Sequence, residues 1–128
     1  MRKFALFASL VAWSFLFGKE DEPIDFSLLE TREINGERIY FLKDKNEPFT
    51  GKSLSVSING QKEAEINYKD GKPNGLITFW HENGQLKQEG NLMDGIQHGI
   101  TIYYDKNGKE IVKQNWQYGE LVFEKKAE

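Results

Sequence analysis

The sequence predicts an all-β protein: an elongated single-layer antiparallel meander of about four 24-residue β-hairpin repeats, preceded by an N-terminal signal helix. Three observations predict it. Asn-Gly recurs at intervals of 24, as Asn35-Gly36, Asn59-Gly60, Asn83-Gly84 and Asn107-Gly108. Ten of the twelve glycines fall on the same lattice, which adds the columns Gly51/Gly75/Gly99 and Gly71/Gly95/Gly119. Between these punctuation marks apolar and polar residues alternate, as Leu54, Val56 and Ile58 do with Ser53, Ser55 and Ser57. That is the period of a strand with one drier face, not of a helix.

In chain order, residues 1–18 read MRKFALFASLVAWSFLFG, a basic start followed by an apolar run of 15 residues. The run is shorter than the roughly 20 residues a spanning helix needs, and it stops at the charged KEDE. It is expected to be a signal peptide or an uncleaved anchor, so that the protein is exported to the periplasm or outside the cell, with the membrane reached only through that segment. Residues 19–27 are expected to be an acidic linker. The repeats occupy 28–123, in rows at 23–46 (degenerate), 47–70, 71–94 and 95–118, and residues 119–128 form a C-terminal cap and charged tail.

Within each row Asn-Gly separates two alternating segments. It supplies the positive φ of a type I′ turn, or its glycine that of a G1 bulge. The connection from one row to the next, such as Asp70 to Gly75 with Pro73 inside it, is expected to be the longer turn. Because 24 is even, the even-numbered apolar residues from Tyr40 and Leu42 to Val112 and Trp116 are expected to share one face as the core. The odd-numbered face is then polar, and Ile77, Phe79 and Tyr103 stand out on it as a partner-binding patch. Residues 24–34 and 120–128 are the candidate covers for the two sheet edges, with Leu121-Val122-Phe123 starting a strand that the charges after it end.

Composition removes several function classes. There is no cysteine, hence no disulfide, no lipid-modified cysteine and no thiolate metal site. The net charge is −3, and −5 once Arg2 and Lys3 leave with residues 1–18, which argues against nucleic acid as a partner. The two histidines stand in columns that require no imidazole: His81 aligns with Ser57 and Asp105, and His98 with Thr50 and Asn74. Glu65 and Glu89 share a column and read as solvated strand residues. No P-loop, GxGxxG or nucleophile elbow occurs, so neither enzyme activity, cofactor nor metal is expected.

The row GKPNGLITFWHENGQLKQEGNLMDG, followed by GIQHGITIYYDKNGKEIVKQNWQYG, resembles the variant MORN repeat found in bacterial YwqK-type antitoxins. The resemblance covers about 47–119 and reaches faintly into the row from Pro23. It implies a sheet of hairpins and a non-enzymatic role in binding or scaffolding; its shared positions are turn glycines and strand aromatics, so it carries over no catalytic residue. The expected function is an exported, non-catalytic module for protein–protein contact or scaffolding in the bacterial envelope. The alternative is an antitoxin-like or immunity-like protein that neutralises a partner toxin.

Overall fold

The computed structural model describes residues 22–128, so the expected signal segment and the first residues of the expected linker lie outside it. Eleven strands follow: β1 (Ile24–Asp25), β2 (Leu29–Ile34), β3 (Glu37–Leu42), β4 (Gly51–Val56), β5 (Lys62–Lys69), β6 (Lys72–Trp80), β7 (Leu86–Met93), β8 (Ile96–Gln97), β9 (Gly99–Tyr104), β10 (Glu110–Gln117) and β11 (Glu120–Lys126). The all-β, antiparallel, open-sheet architecture is as the repeat predicts. The main sheet runs β1-β4-β5-β6-β7-β9-β10-β11, with β8 as a short extra partner of β7.

The first row departs from the meander. Strands β2 and β3 form a separate two-stranded sheet, and it is β1, parallel to β4, that covers the N-terminal edge of the main sheet. Residues 24–27 are therefore structured instead of forming the end of a solvated linker. Ile24 packs on the core, and Asp25 caps a single turn of 3-10 helix at Phe26–Leu28 by accepting from the Ser27 N–H at 2.8 Å. The hairpin β2–β3 folds back onto the main sheet, where the Tyr40 N–H donates to the Gly71 carbonyl at 2.8 Å and the Phe49 N–H to the Tyr40 carbonyl at 2.8 Å. Leu29, Phe49 and Tyr68 form the buried cluster at this junction, with Tyr40 and Phe49 at 5.0 and 5.5 Å from the Tyr68 ring centroid. Apolar burial is thus concentrated where two sheets meet, as a single layer cannot cover its own face.

The turns are distributed differently from the sequence expectation. The tightest chain reversals are Asn35-Gly36, Asp70-Gly71, Asp94-Gly95 and Tyr118-Gly119, two-residue turns in which both residues have positive φ, between 47° and 82°. Both φ positive is the signature of type I′. The row-to-row connection is therefore the tight one. Asn59-Gly60, Asn83-Gly84 and Asn107-Gly108 instead lie in five-residue loops, and there only the glycine has positive φ. In each, the glycine N–H donates to the first loop residue, from Gly60 to Ser57, Gly84 to His81 and Gly108 to Asp105.

A one-residue bulge follows each five-residue loop. Ser55 pairs with Ala64 but Val56 with Lys62; Phe79 pairs with Gln88 but Trp80 with Leu86; Tyr103 pairs with Val112 but Tyr104 with Glu110. Glu63, Lys87 and Ile111 are the extra residues. Each bulge shifts register by one and changes which side chains share a face. Beyond it, Ser53, Ile66, Ile77, Gly90, Thr101 and Gln114 form one cross-strand row, joined through successive partners of opposite parity. The bulges within hairpins and the two-residue turns between them, which also pair opposite parities, split the expected even-numbered stripe. Ala64, Ile66, Tyr68, Leu92, Val112 and Trp116 lie on the face that carries Ile77, Phe79 and Tyr103, whereas Leu54, Leu76, Ile100 and Ile102 lie on the other.

Candidate functional site

Three surfaces were candidates: the patch around Phe79, the histidine columns, and the C-terminal edge. The first is largely structural. Ile77 is only 8% exposed and sits in the most buried cross-strand row, beside Ser53 at 1% and Thr101 at 2%. It has no area to offer a partner. Phe79 and Tyr103 are half-buried, and they are not direct neighbours, because Gln88 of β7 pairs with both. Apolar bulk at these odd positions belongs to the core-facing side of the sheet, since the two-residue turns pair the even residues of β5 and β7 with the odd residues of β6 and β9.

Gly90, one of the two glycines off the repeat lattice, has its reason in the same row. A Cβ there would stand 3.0 Å from Thr101 Oγ1 and 3.5 Å from Ile77 Cγ1. Its departure from the lattice was the available sequence signal.

The histidines work as hydrogen-bonding parts of the repeat. His98 Nδ1 accepts from the Tyr118 N–H at 3.2 Å, and the aligned Thr50 and Asn74 side chains accept from the Asp70 and Asp94 N–H at 3.0 and 3.1 Å. The glycines that follow in three of the four tight turns, Gly71, Gly95 and Gly119, donate to the residue just before, reaching the carbonyls of Phe49, Pro73 and Gln97 at 2.7–2.8 Å. This clamp closes the rows 47–70, 71–94 and 95–118, each on itself, and is missing from the first row. What the column of Thr50, Asn74 and His98 demands is an acceptor, and three acceptor-bearing residues in register were its signal. His81 Nε2 stands 2.9 Å from the Tyr104 carbonyl and so donates, tying one loop to the next, as the Asn83 side-chain amide does to the Lys106 carbonyl at 2.8 Å. Asp105 occupies the His81 column one row on. Its carboxylate accepts from the Lys109 and Asn107 N–H groups, which lowers its pKa below the ordinary carboxylate value.

Nothing in these groups resembles a reaction centre. The Tyr68 hydroxyl, whose pKa is raised by burial against the lowering effect of its Ser53 hydrogen bond, lies inside the core. Among the described residues no group of three or more His, Asp or Glu side chains could hold a metal ion, and no helix is long and apolar enough to cross a membrane.

The C-terminal edge differs from everything else on the sheet. Strand β11 is exposed along its whole length and, among the described residues, pairs only with β10. The charges do not end it at Phe123 as expected; pairing continues to Val112↔Lys126. Leu121, Val122 and Phe123 are 46%, 55% and 55% exposed. A register shift near Asn115 and Trp116 puts Leu121 on the face of Trp116 and Phe123 on the face of Asn115, so the edge shows apolar groups on both sides.

The hairpin β6–β7 is where comparison with known families bears on the chain: residues 73–93 match the MORN repeat variant. The chain carries a MORN repeat variant. The matched residues run from the second residue of β6 to the last of β7, so one MORN variant repeat here is one hairpin with its five-residue loop and bulge. Hairpins β4–β5 and β9–β10 repeat that arrangement one row to either side. No curated protein and no solved structure matched the chain. The MORN repeat family points to a repeat module for protein or membrane contact and is generally non-catalytic.

Proposed function

We propose that this protein is an exported, non-catalytic MORN-variant module that makes protein–protein contact, or scaffolds other proteins, in the bacterial envelope. The observation that carries the contact role is the unequal treatment of the two sheet edges. β4 is covered by β1 and the 3-10 turn, whereas the outer side of β11 has no strand beside it among the described residues. An edge with unpaired N–H and C=O groups and exposed apolar side chains accepts an extended segment of another protein as one more strand. The acidic balance favours a protein partner over nucleic acid, and the apolar run at residues 4–18 supports export.

The test uses backbone direction. The Ala127 N–H donates inward to the Ile111 carbonyl, so by alternation the Glu124 N–H points outward. Glu124→Pro removes that donor while leaving the inward ladder in place. Tagged full-length protein recovered from fractionated cells is expected in the envelope or medium with a partner that the Glu124→Pro variant fails to hold, whereas Glu124→Ala, which loses the same side-chain bond from Gln114 but keeps the outward N–H, holds it. A cytoplasmic location would end the export reading, and a partner retained equally by the Glu124→Pro variant would end the edge reading.

A further inference from the structure

Asx-Gly is the dipeptide in which a backbone nitrogen most easily attacks the preceding side chain, because glycine places no Cβ in the way. Seven such dipeptides lie in the described residues: Asn35-Gly36, Asn59-Gly60, Asp70-Gly71, Asn74-Gly75, Asn83-Gly84, Asp94-Gly95 and Asn107-Gly108. The fold treats them unequally. The N–H groups of Gly60, Gly71, Gly84, Gly95 and Gly108 each donate to a carbonyl at 2.7–3.1 Å. Asn83 is held further at both ends of its amide, by Gln85 N–H and the Lys106 carbonyl. Asn74 lies inside β6 with its side-chain oxygen accepting from Asp94.

Asn35-Gly36 is the exception. Among the described residues its side-chain amide has no hydrogen-bond partner, the Gly36 N–H has no acceptor, nothing stands within 4 Å of a Cβ built at Gly36, and both residues are exposed. We propose that Asn35 is a site of spontaneous modification, converting through a cyclic imide while the other Asn-Gly pairs are protected by the fold. The Gly36 nitrogen loses its proton and bonds to Asn35 Cγ as the Cγ–Nδ2 bond breaks, so that ammonia departs. Water then opens one of the two carbonyl–nitrogen bonds of the ring. One opening leaves aspartate at position 35, the other isoaspartate, and either replaces a neutral amide by a carboxylate.

The two products differ in consequence. Aspartate suits the turn, since Asp70-Gly71 and Asp94-Gly95 already form two-residue turns with both φ positive. Isoaspartate inserts an extra backbone carbon between Ile34 and Glu37, which pair across the turn, and disturbs the hairpin that places Ile39 and Phe41 in buried positions. The modification therefore acts on the attachment of the N-terminal hairpin to the main sheet.

The experiment is peptide mapping by mass spectrometry of the full chain aged in mildly alkaline buffer, with a parallel sample in denaturant. In the folded sample Asn35 is expected to convert at least about fivefold faster than Asn59, Asn83 or Asn107, the ratio one net hydrogen bond supports. In denaturant the four rates should converge. Equal rates in the folded protein, or a preference for Asn35 that persists in denaturant, would overturn the proposal. Asn35→Asp, expected to keep the wild-type melting temperature, separates the harmless product from the damaging one; if aged wild-type protein enriched in isoaspartate melts no lower than this variant, the effect on the hairpin is refuted.

Discussion

Single residues in this fold are chosen for a bond or a clearance that recurs every 24 residues. His98 shows it most clearly, because two other residue types do the same work in the neighbouring rows. If the column requires only an acceptor, His98→Asn should preserve stability by reproducing Asn74, whereas His98→Ala should cost about 1 kcal/mol, the net value of one such bond. Chemical denaturation of the two variants checks this. Equal losses would instead mean that the packing of the His98 ring on Tyr118, at 4.7 Å between centroids, is what matters.

Among the elements, the tight turn at Gly71, against which the N-terminal hairpin docks, has a different tolerance from the five-residue loop at Gly60 although both contain a glycine of positive φ. Gly60 and Gly71 share φ of 80°, but a Cβ at Gly60 meets nothing within 4 Å, while one at Gly71 would overlap Ile39 Cγ2 and stand 3.0 Å from the Tyr40 carbonyl. Gly60→Ala should therefore cost about 1–2 kcal/mol, the strain of a left-handed residue. Gly71→Ala should cost about 1–3 kcal/mol more, since it also pushes on the docked hairpin. Thermal melts give the two totals, and similar values would contradict the docking of β3 at this turn. The same asymmetry explains why the first row is degenerate: it does not continue the meander, and so it need not keep the lattice.

Across the molecule, stability is predicted to fall from one end to the other. The buried cluster of Leu29, Phe49 and Tyr68 lies near the N-terminal end of the sheet, while all of β11 is exposed. In a sheet whose repeats touch mainly their neighbours, local opening follows local burial. Amide exchange should be slowest for β4–β6 and fastest for β11, with the order read by mass spectrometry of peptic fragments. Uniform protection would instead indicate that the sheet unfolds as one cooperative unit. The gradient leaves the least protected strand as the edge proposed to receive a partner, which is where a contact strand has least to lose by rearranging.

What the sequence determined by itself was the period, the all-β class, the positions of the chain reversals and the absence of thiol chemistry, since all of these depend on residue type and spacing along the chain. Which residues share a face follows instead from strand pairing in three dimensions. A five-residue loop alone pairs even positions with even ones, but the bulges at Glu63, Lys87 and Ile111 shift register by one inside each hairpin and the two-residue turns pair even with odd between hairpins, so that Ile77, Phe79 and Tyr103 share the core-facing side with Ile66 and Tyr68. Nor does local sequence fix that β2–β3 folds back onto Gly71, or that β11 has no strand on its outer side among the described residues. Both depend on partners brought together by folding: Asn35-Gly36 and Asp70-Gly71 form turns of the same kind, yet one is open to solvent and the other has Ile39 packed against it.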